Sequence, residues 1–211
     1  MGDSIKNLEW RYAVKKFDSE KLLPEEKVDR LKQAFNLTAT SYGLQPITLL
    51  VIKNKALQKQ LVRHSFEQQQ VAQASHVLVI CIQDAIDSQY IYRYFDKIKK
   101  IRGTSDEILN PFKDALIDDF SKKDVAEIKR WSINQAYLAL GNLLTICAME
   151  KIDSCPMEGF VPSAYDEILA LGTKGLASVL VLPIGYRAED DVFSDFKKVR
   201  KDLEDSVIEI F

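Results

Sequence analysis

Two short basic groups are the residues best equipped for chemistry in this chain. One is Arg11-Tyr12-Ala13-Val14-Lys15-Lys16-Phe17-Asp18; the other is Lys197-Lys198-Val199-Arg200-Lys201. Arginine offers phosphate oxygens a planar fork of donors, and lysine offers a mobile point charge. Brought together by the fold, the two groups make a phosphate pocket. Left apart they are two solvated patches, and spacing alone favours that reading. Pro156-Met157-Glu158-Gly159-Phe160 places a glutamate in a turn between Pro and Gly. It reads as an ordinary loop, or as a place where Gly159 lets backbone amides approach a bound ring. Thr40-Ser41-Tyr42-Gly43-Leu44-Gln45-Pro46 is a small polar loop ahead of a strand, with hydroxyl and amide donors where ligands often sit.

Other chemistries lack their residues. Cys81, Cys147 and Cys155 form no CxxC pair, and an odd count argues against a disulfide framework. Cys81 and Cys147 read as buried free thiols; Cys155, beside Pro156, is expected to be less buried. His64 and His76 have no zinc-ligand spacing, so no metal site is expected, and no local pattern supports a Cys–His nucleophile. His76 precedes an apolar run and reads as structural. GxSxG, Walker A and GxGxxG are all absent, which argues against a common hydrolase, a P-loop NTPase or a Rossmann dehydrogenase.

The elements that must position these residues follow from periodicity. Residues 24–37 read as a helix, with Pro24 first, Glu25 and Glu26 in the opening turn, and Val28, Leu31 and Phe35 as its apolar stripe. Residues 47–53 and 76–83 (HVLVICIQ) read as strands, the second buried on both faces. Residues 55–73 read as helical and polar, with a Gln-rich stretch at Gln68-Gln69-Gln70. Residues 86–130 read as two helical pieces interrupted at Gly103 and Pro111, a solvated face whose aromatics could also line a pocket or a subunit contact. Residues 132–150 are apolar nearly all round, as in a core or interface helix, and Gly141 suggests close packing. Residues 176–185 are a third strand. Val207–Phe211 is apolar and either joins the chain's own sheet or packs on another subunit.

The 211 residues are 46% hydrophobic and 28% charged, with a net charge of −2. Such a chain can bury a real core and lacks the basic excess of a nucleic-acid binder. Mean hydropathy is −0.15, which argues against disorder. No run approaches the roughly 18 apolar residues of a membrane span. Met1-Gly2-Asp3-Ser4-Ile5-Lys6 has no apolar signal region, so a cytoplasmic protein is expected. With no boundary or repeat in sight, residues 1–211 read as a single α+β domain.

In order along the chain, these stretches resemble the FMN-dependent nitroreductases, the oxygen-insensitive NAD(P)H oxidoreductases. The resemblance is carried by Arg11-Tyr-Ala-Val-Lys15-Lys-Phe17-Asp18, Ser41-Tyr-Gly-Leu-Gln45-Pro46 and Ala74-Ser75-His76. It continues through Gly141-Asn142, Pro156-Met-Glu158-Gly159-Phe160, Pro183-Ile-Gly185-Tyr186 and Lys198-Val-Arg200. It reverses the solvated reading of the basic groups. It implies a nitroreductase-like fold, a central mixed or antiparallel sheet flanked by helices, in a domain-entwined homodimer with FMN at the interface. It also implies NAD(P)H as co-substrate and two-electron ping-pong chemistry on flavin N5, with no catalytic side chain. A small aromatic acceptor (nitroaromatic, quinone or pteridine-like) is implied, with neither nucleic acid nor membrane as partner.

By the same resemblance Arg11, Lys198 and Arg200 hold the FMN phosphate, and Tyr12 and Ala13 give backbone contacts. Lys15 sits at the pyrimidine edge, where a cation stabilises the reduced ring. Thr40, Ser41 and Gly43 approach from the partner subunit. Pro156, Met157, Glu158 and Gly159 line the ring, the last two with amides beside N5. Tyr42 and Phe112 belong to the acceptor pocket. Glu67 and Gln70 take cofactor positions where enterobacterial members carry Asn and Lys. Gln70 can bond a flavin carbonyl without supplying charge, and Glu67 fits only if it points away. Ile47 stands where many relatives have Trp. A flavin-binding carrier or sensor without turnover is the alternative reading.

Overall fold

The computed structural model describes residues 4–211, so Met1, Gly2 and Asp3 of the signal-region reading lie outside the described residues. Four strands form one antiparallel sheet: β1 (Ile47–Ile52), β2 (His76–Gln83), β3 (Asp153–Ser154) and β4 (Leu176–Gly185), in the order β1-β2-β4-β3. Ile47 faces Ile82 across the β1–β2 ladder, and His76 faces Ile184 across β2–β4.

The run HVLVICIQ is nearly continuous in apolar residues because both faces of β2 are covered. Alternate residues point to opposite faces. Val77, Val79 and Cys81 enter one core with Leu61, Val71, Met157, Tyr165 and Val181. Leu78, Ile80 and Ile82 enter the other with Leu31, Ala136, Leu143, Leu180 and Leu182. Each such burial is worth about 1.5–3 kcal/mol relative to exposure. His76 is buried, its Nδ1 2.9 Å from Ser75 Oγ, which is the structural role expected of it.

The helices are α1 (Ser4–Trp10), α2 (Glu25–Asn36), α3 (Lys55–Leu61), α4 (Gln70–Gln73), α5 (Ser88–Arg102), α6 (Asp106–Lys122), α7 (Val125–Met149), α8 (Pro162–Ile168) and α9 (Leu203–Ser206). Pro24 caps α2 from outside rather than opening it. The helical stretch expected over 55–73 is divided into pieces, α3 and α4 with a turn between them. A 3-10 turn at Val62–Ser65 ends with Phe66 and Glu67 both left-handed, φ 51° and 59°.

Residues 86–130 hold two helices and the start of a third. Gly103 ends α5 with φ 66°, as expected of a glycine terminator. Pro111 does not interrupt; it sits inside α6. Helix α7 begins at Val125, ahead of the expected 132, because Asp124 and Glu127 form a reciprocal capping box. Asp124 accepts from the Glu127 amide (2.8 Å), and Glu127 accepts from the Asp124 amide (3.0 Å). The charged run hides a third core, where Leu44, Ile86, Ile91, Phe95, Leu116 and Phe120 are buried.

Two further expectations change. Cys155 is as buried as Cys81 and Cys147. Gly141 is exposed, and a Cβ there would meet nothing within 4 Å, so the glycine serves no close packing among the described residues. Val207–Phe211 joins no strand among the described residues; Ile208 and Ile210 are 87% and 93% exposed. Among the described residues no helix is long and apolar enough to cross a membrane.

Candidate functional site

After α1 the chain runs extended beside the sheet. The Val14 amide donates to Ser154 O of β3 (3.2 Å), and Asp18 N donates to Tyr186 O just past β4 (2.9 Å). The segment after β4 folds back onto this one, the Ala188 amide bonding Lys16 O at 2.9 Å. Lys198 Nζ reaches Glu9 O at 2.5 Å. The two basic groups are thereby joined. Arg11, Tyr12 and Ala13 line a cleft of about 300 Å³ with Phe193, Phe196, Lys197, Lys198 and Arg200.

This cleft is electrostatically unfinished. Arg11 Nε is buried with no hydrogen-bond partner among the described residues. Burial, and then the charge of Arg200, depress the Arg11 pKa. Burial, and then Arg11 and Arg200, depress that of Lys198. Converging cations with an orphaned donor cost free energy that an anion would recover. The Tyr12 and Ala13 amides also lack acceptors among the described residues. The arrangement can hold a phosphate.

Asp191 organises the back of the cleft. It is 3% exposed. Its Oδ2 accepts from Tyr12 Oη (2.9 Å), Lys15 N (2.9 Å) and Lys16 N (3.2 Å), and its Oδ1 from Phe193 N (3.2 Å). Burial works to raise the Asp191 pKa, but these donors outweigh it and hold the carboxyl below its ordinary value. The Arg187 guanidinium lies 4.4 Å from the Trp10 ring and 4.6 Å from the Tyr12 ring, and pairs with Asp153. Neither Asp191 nor Arg187 stands out in the sequence. Glu189-Asp190-Asp191 reads as a solvated acidic run, and only the tertiary contact separates Asp191 from its neighbours.

The Pro156–Gly159 loop continues from β3 along β4. Met157 exchanges both backbone hydrogen bonds with Val181, at 2.8 and 3.1 Å. The chain then turns, Phe160 N bonding Glu158 O at 2.9 Å, which leaves the Glu158 and Gly159 amides without acceptors among the described residues. Burial pushes the Cys155 thiol pKa up, and the Lys15 charge is the largest opposing influence. The left-handed turn carrying Glu67 packs on the same loop. Gln68 Nε2 donates to Gly159 O at 2.8 Å, and a Cβ on Gly159 would come within 2.9 Å of that nitrogen. Gln70 is buried nearby in sequence, whereas Glu67 is exposed. Gln68 is one of a run of three glutamines, and nothing in the sequence singles it out.

The Thr40 loop lies elsewhere. Ser41 N donates to Gln135 Oε1 of α7 at 2.9 Å. Tyr137, two residues on, donates to Glu158 Oε1 at 2.6 Å. Residues two apart point to opposite sides of a helix. Helix α7 therefore separates Thr40, Ser41 and Gly43 from the Glu158 loop within one chain. Tyr42 and Phe112 do meet, ring centroids 6.5 Å apart, and Tyr42 stacks on Trp131 at 6.2 Å. Gly43 has φ 72°, and a Cβ there would lie 2.2 Å from Tyr94 Oη. Among the described residues no group of three or more His, Cys, Asp or Glu is placed to hold a metal ion.

Residues 8–186 match the family model described as Nitroreductase family. A Staphylococcus aureus (strain MW2) protein, provisionally named an NAD(P)H nitroreductase, is 31% identical over 202 residues, 92% of this chain and 91% of that protein. The oxygen-insensitive NAD(P)H nitroreductase of Salmonella typhimurium is 26% identical over 212 residues, covering 95% and 96% of the two chains. Among solved structures, a nitroreductase-like protein of Streptococcus mutans superposes with a TM-score of 0.84 at 21% identity, over 99% of this chain and 98% of that one. A structure from Exiguobacterium sibiricum, provisionally named a nitroreductase and solved in complex with FMN, gives 0.83 at 18%, over 100% and 98%. These two share the fold.

Proposed function

We propose, from the premise that this chain belongs to the nitroreductase family, that it is an FMN-dependent NAD(P)H oxidoreductase passing two electrons to nitroaromatic, quinone or pteridine-like acceptors. The observation that carries the reading is the buried Arg11 Nε, unpartnered among the described residues, in a cleft it shares with Lys198 and Arg200. A phosphate monoester supplies the missing acceptor and offsets most of the charge of three converging cations. FMN held there would supply the two-electron chemistry between NAD(P)H and a second substrate that a ping-pong oxidoreductase needs.

The protein's share is placement and electrostatics. Arg11, Lys198 and Arg200 hold the phosphate, with the free amides of Tyr12 and Ala13 beside them. Lys15, exposed and in the same segment as Arg11, offers a cation to the electron-rich edge of the ring. The free amides of Glu158 and Gly159 are donors for a ring nitrogen, and Pro156 and Met157 hold that turn against β4. Gln70 contributes an uncharged amide. Glu67 is exposed, so water screens a carboxylate that would otherwise oppose a reduced ring.

The second subunit enters through Thr40, Ser41 and Gly43. Helix α7 keeps them from the Glu158 loop of their own chain, so they serve a cleft on a second copy, with Tyr42 and Phe112 as its aromatic wall for a flat acceptor. Helix α7 leaves Tyr137, Leu138 and Met149 43%, 53% and 47% exposed, an apolar face suited to that contact.

A visible absorption spectrum before and after anaerobic NAD(P)H tests the function. A yellow protein that bleaches is the expected result. Failure to bleach would favour a flavin carrier or sensor, and a protein that stays colourless after incubation with FMN would end the flavin assignment.

A further inference from the structure

The phosphate cleft is built from two segments about 190 positions apart, and nothing in their local sequence sets their separation. The C-terminal segment beyond Ala188 forms no regular strand up to Arg200 and is largely exposed. Its one buried residue is Asp191. Four donors converge on that carboxylate: the Tyr12 hydroxyl and the amides of Lys15, Lys16 and Phe193. Three come from the segment that carries Arg11, and the fourth from the segment that carries Lys198 and Arg200. The adjacent acid is different: Asp190 pairs with Lys16 at the surface, where both side chains remain substantially exposed.

We infer that Asp191 is a positioning residue that sets the spacing of Arg11 against Lys198 and Arg200, and so builds the phosphate-binding half of the flavin site. This rests on the flavin reading above. Asp191 is itself an anion, so it does not bind the phosphate; it acts through the two segments it joins. The arrangement has a physical logic. Like charges on Arg11, Lys198 and Arg200 in one cleft push the segments apart before the cofactor arrives; burial first, and this mutual repulsion second, depress the pKa values of Arg11 and Lys198. A buried carboxylate bound by donors from both segments opposes that repulsion. Tyr12, held by Asp191 and covered by Arg187, anchors the backbone immediately after Arg11.

The test compares FMN with riboflavin, which lacks the phosphate, by quenching of flavin fluorescence. D191A is expected to raise the FMN dissociation constant about tenfold or more, the scale for losing a charge-assisted network, and the riboflavin constant by a clearly smaller factor, since Asp191 also holds the Lys15 amide. D191N, which keeps the shape and one acceptor oxygen, is expected to fall between, and serves as the test if D191A does not fold. Equal weakening of both ligands would make Asp191 a general structural residue and overturn the inference; so would unchanged FMN binding. A parent protein that binds neither ligand removes the flavin reading itself, and this one with it.

Discussion

Arg11 is the residue on which most depends. Its side chain is half-buried, makes no ion pair among the described residues, and turns Nε toward no acceptor. A charge-assisted hydrogen bond in such a setting is worth about 1.5–3 kcal/mol. Arg11→Ala should therefore raise the FMN dissociation constant by roughly ten- to a hundredfold, measured by flavin fluorescence. FMN binding as tight as in the parent would remove the phosphate assignment. The candidate role of Arg11 was legible because arginine and lysine in ordered motifs suit phosphate. The roles of Asp191 and Gln68 were not. Each is one of several like residues in a polar run, and each is selected only by what lies across from it in space.

Elements show the same division. Strands β1, β2 and β4 and helix α2 fall where period and composition put them, since each has an apolar pattern that only one element type can bury. The helical stretch expected over 55–73 is divided because helical propensity in a polar stretch is weak and tertiary contacts override it. Ser65 Oγ is drawn to Tyr165 Oη (2.8 Å), and Gln68 to Gly159 O, and the chain turns left-handed between them. The turn at Ser41–Gly43 depends on a glycine for two reasons: a positive φ, and the approach of Tyr94. Gly43→Ala should lower stability by about 1–3 kcal/mol, read as the urea midpoint. Adding Tyr94→Phe removes the atom that a Cβ would strike, and should recover part of the loss while the backbone strain remains. If the second change recovers nothing, the contact with Tyr94 is not what the glycine serves.

At the scale of the molecule, the open features are the α7 face, the β1 edge and the tail. Strand β1 is an edge whose residues from Ile47 to Val51 are only half-buried, and Val207–Phe211 is an exposed apolar segment. Exposed apolar surface of this kind marks a contact. On the dimer proposed above, deleting residues 207–211 should shift the protein toward monomer in sedimentation equilibrium and weaken FMN retention with it. A deletion variant as dimeric as the parent would take the tail out of the interface. The sequence by itself determined the class of fold, the buried central strand and which basic groups suit a phosphate. Those follow from periodicity, apolar content and the chemistry of single side chains, which are local properties. Only the tertiary structure decided that residues 11 and 200 share a cleft, that Asp191 ties its walls, and that α7 divides the Ser41 turn from the Glu158 loop. Such contacts join positions tens to almost two hundred residues apart, and no local pattern encodes the distance between them.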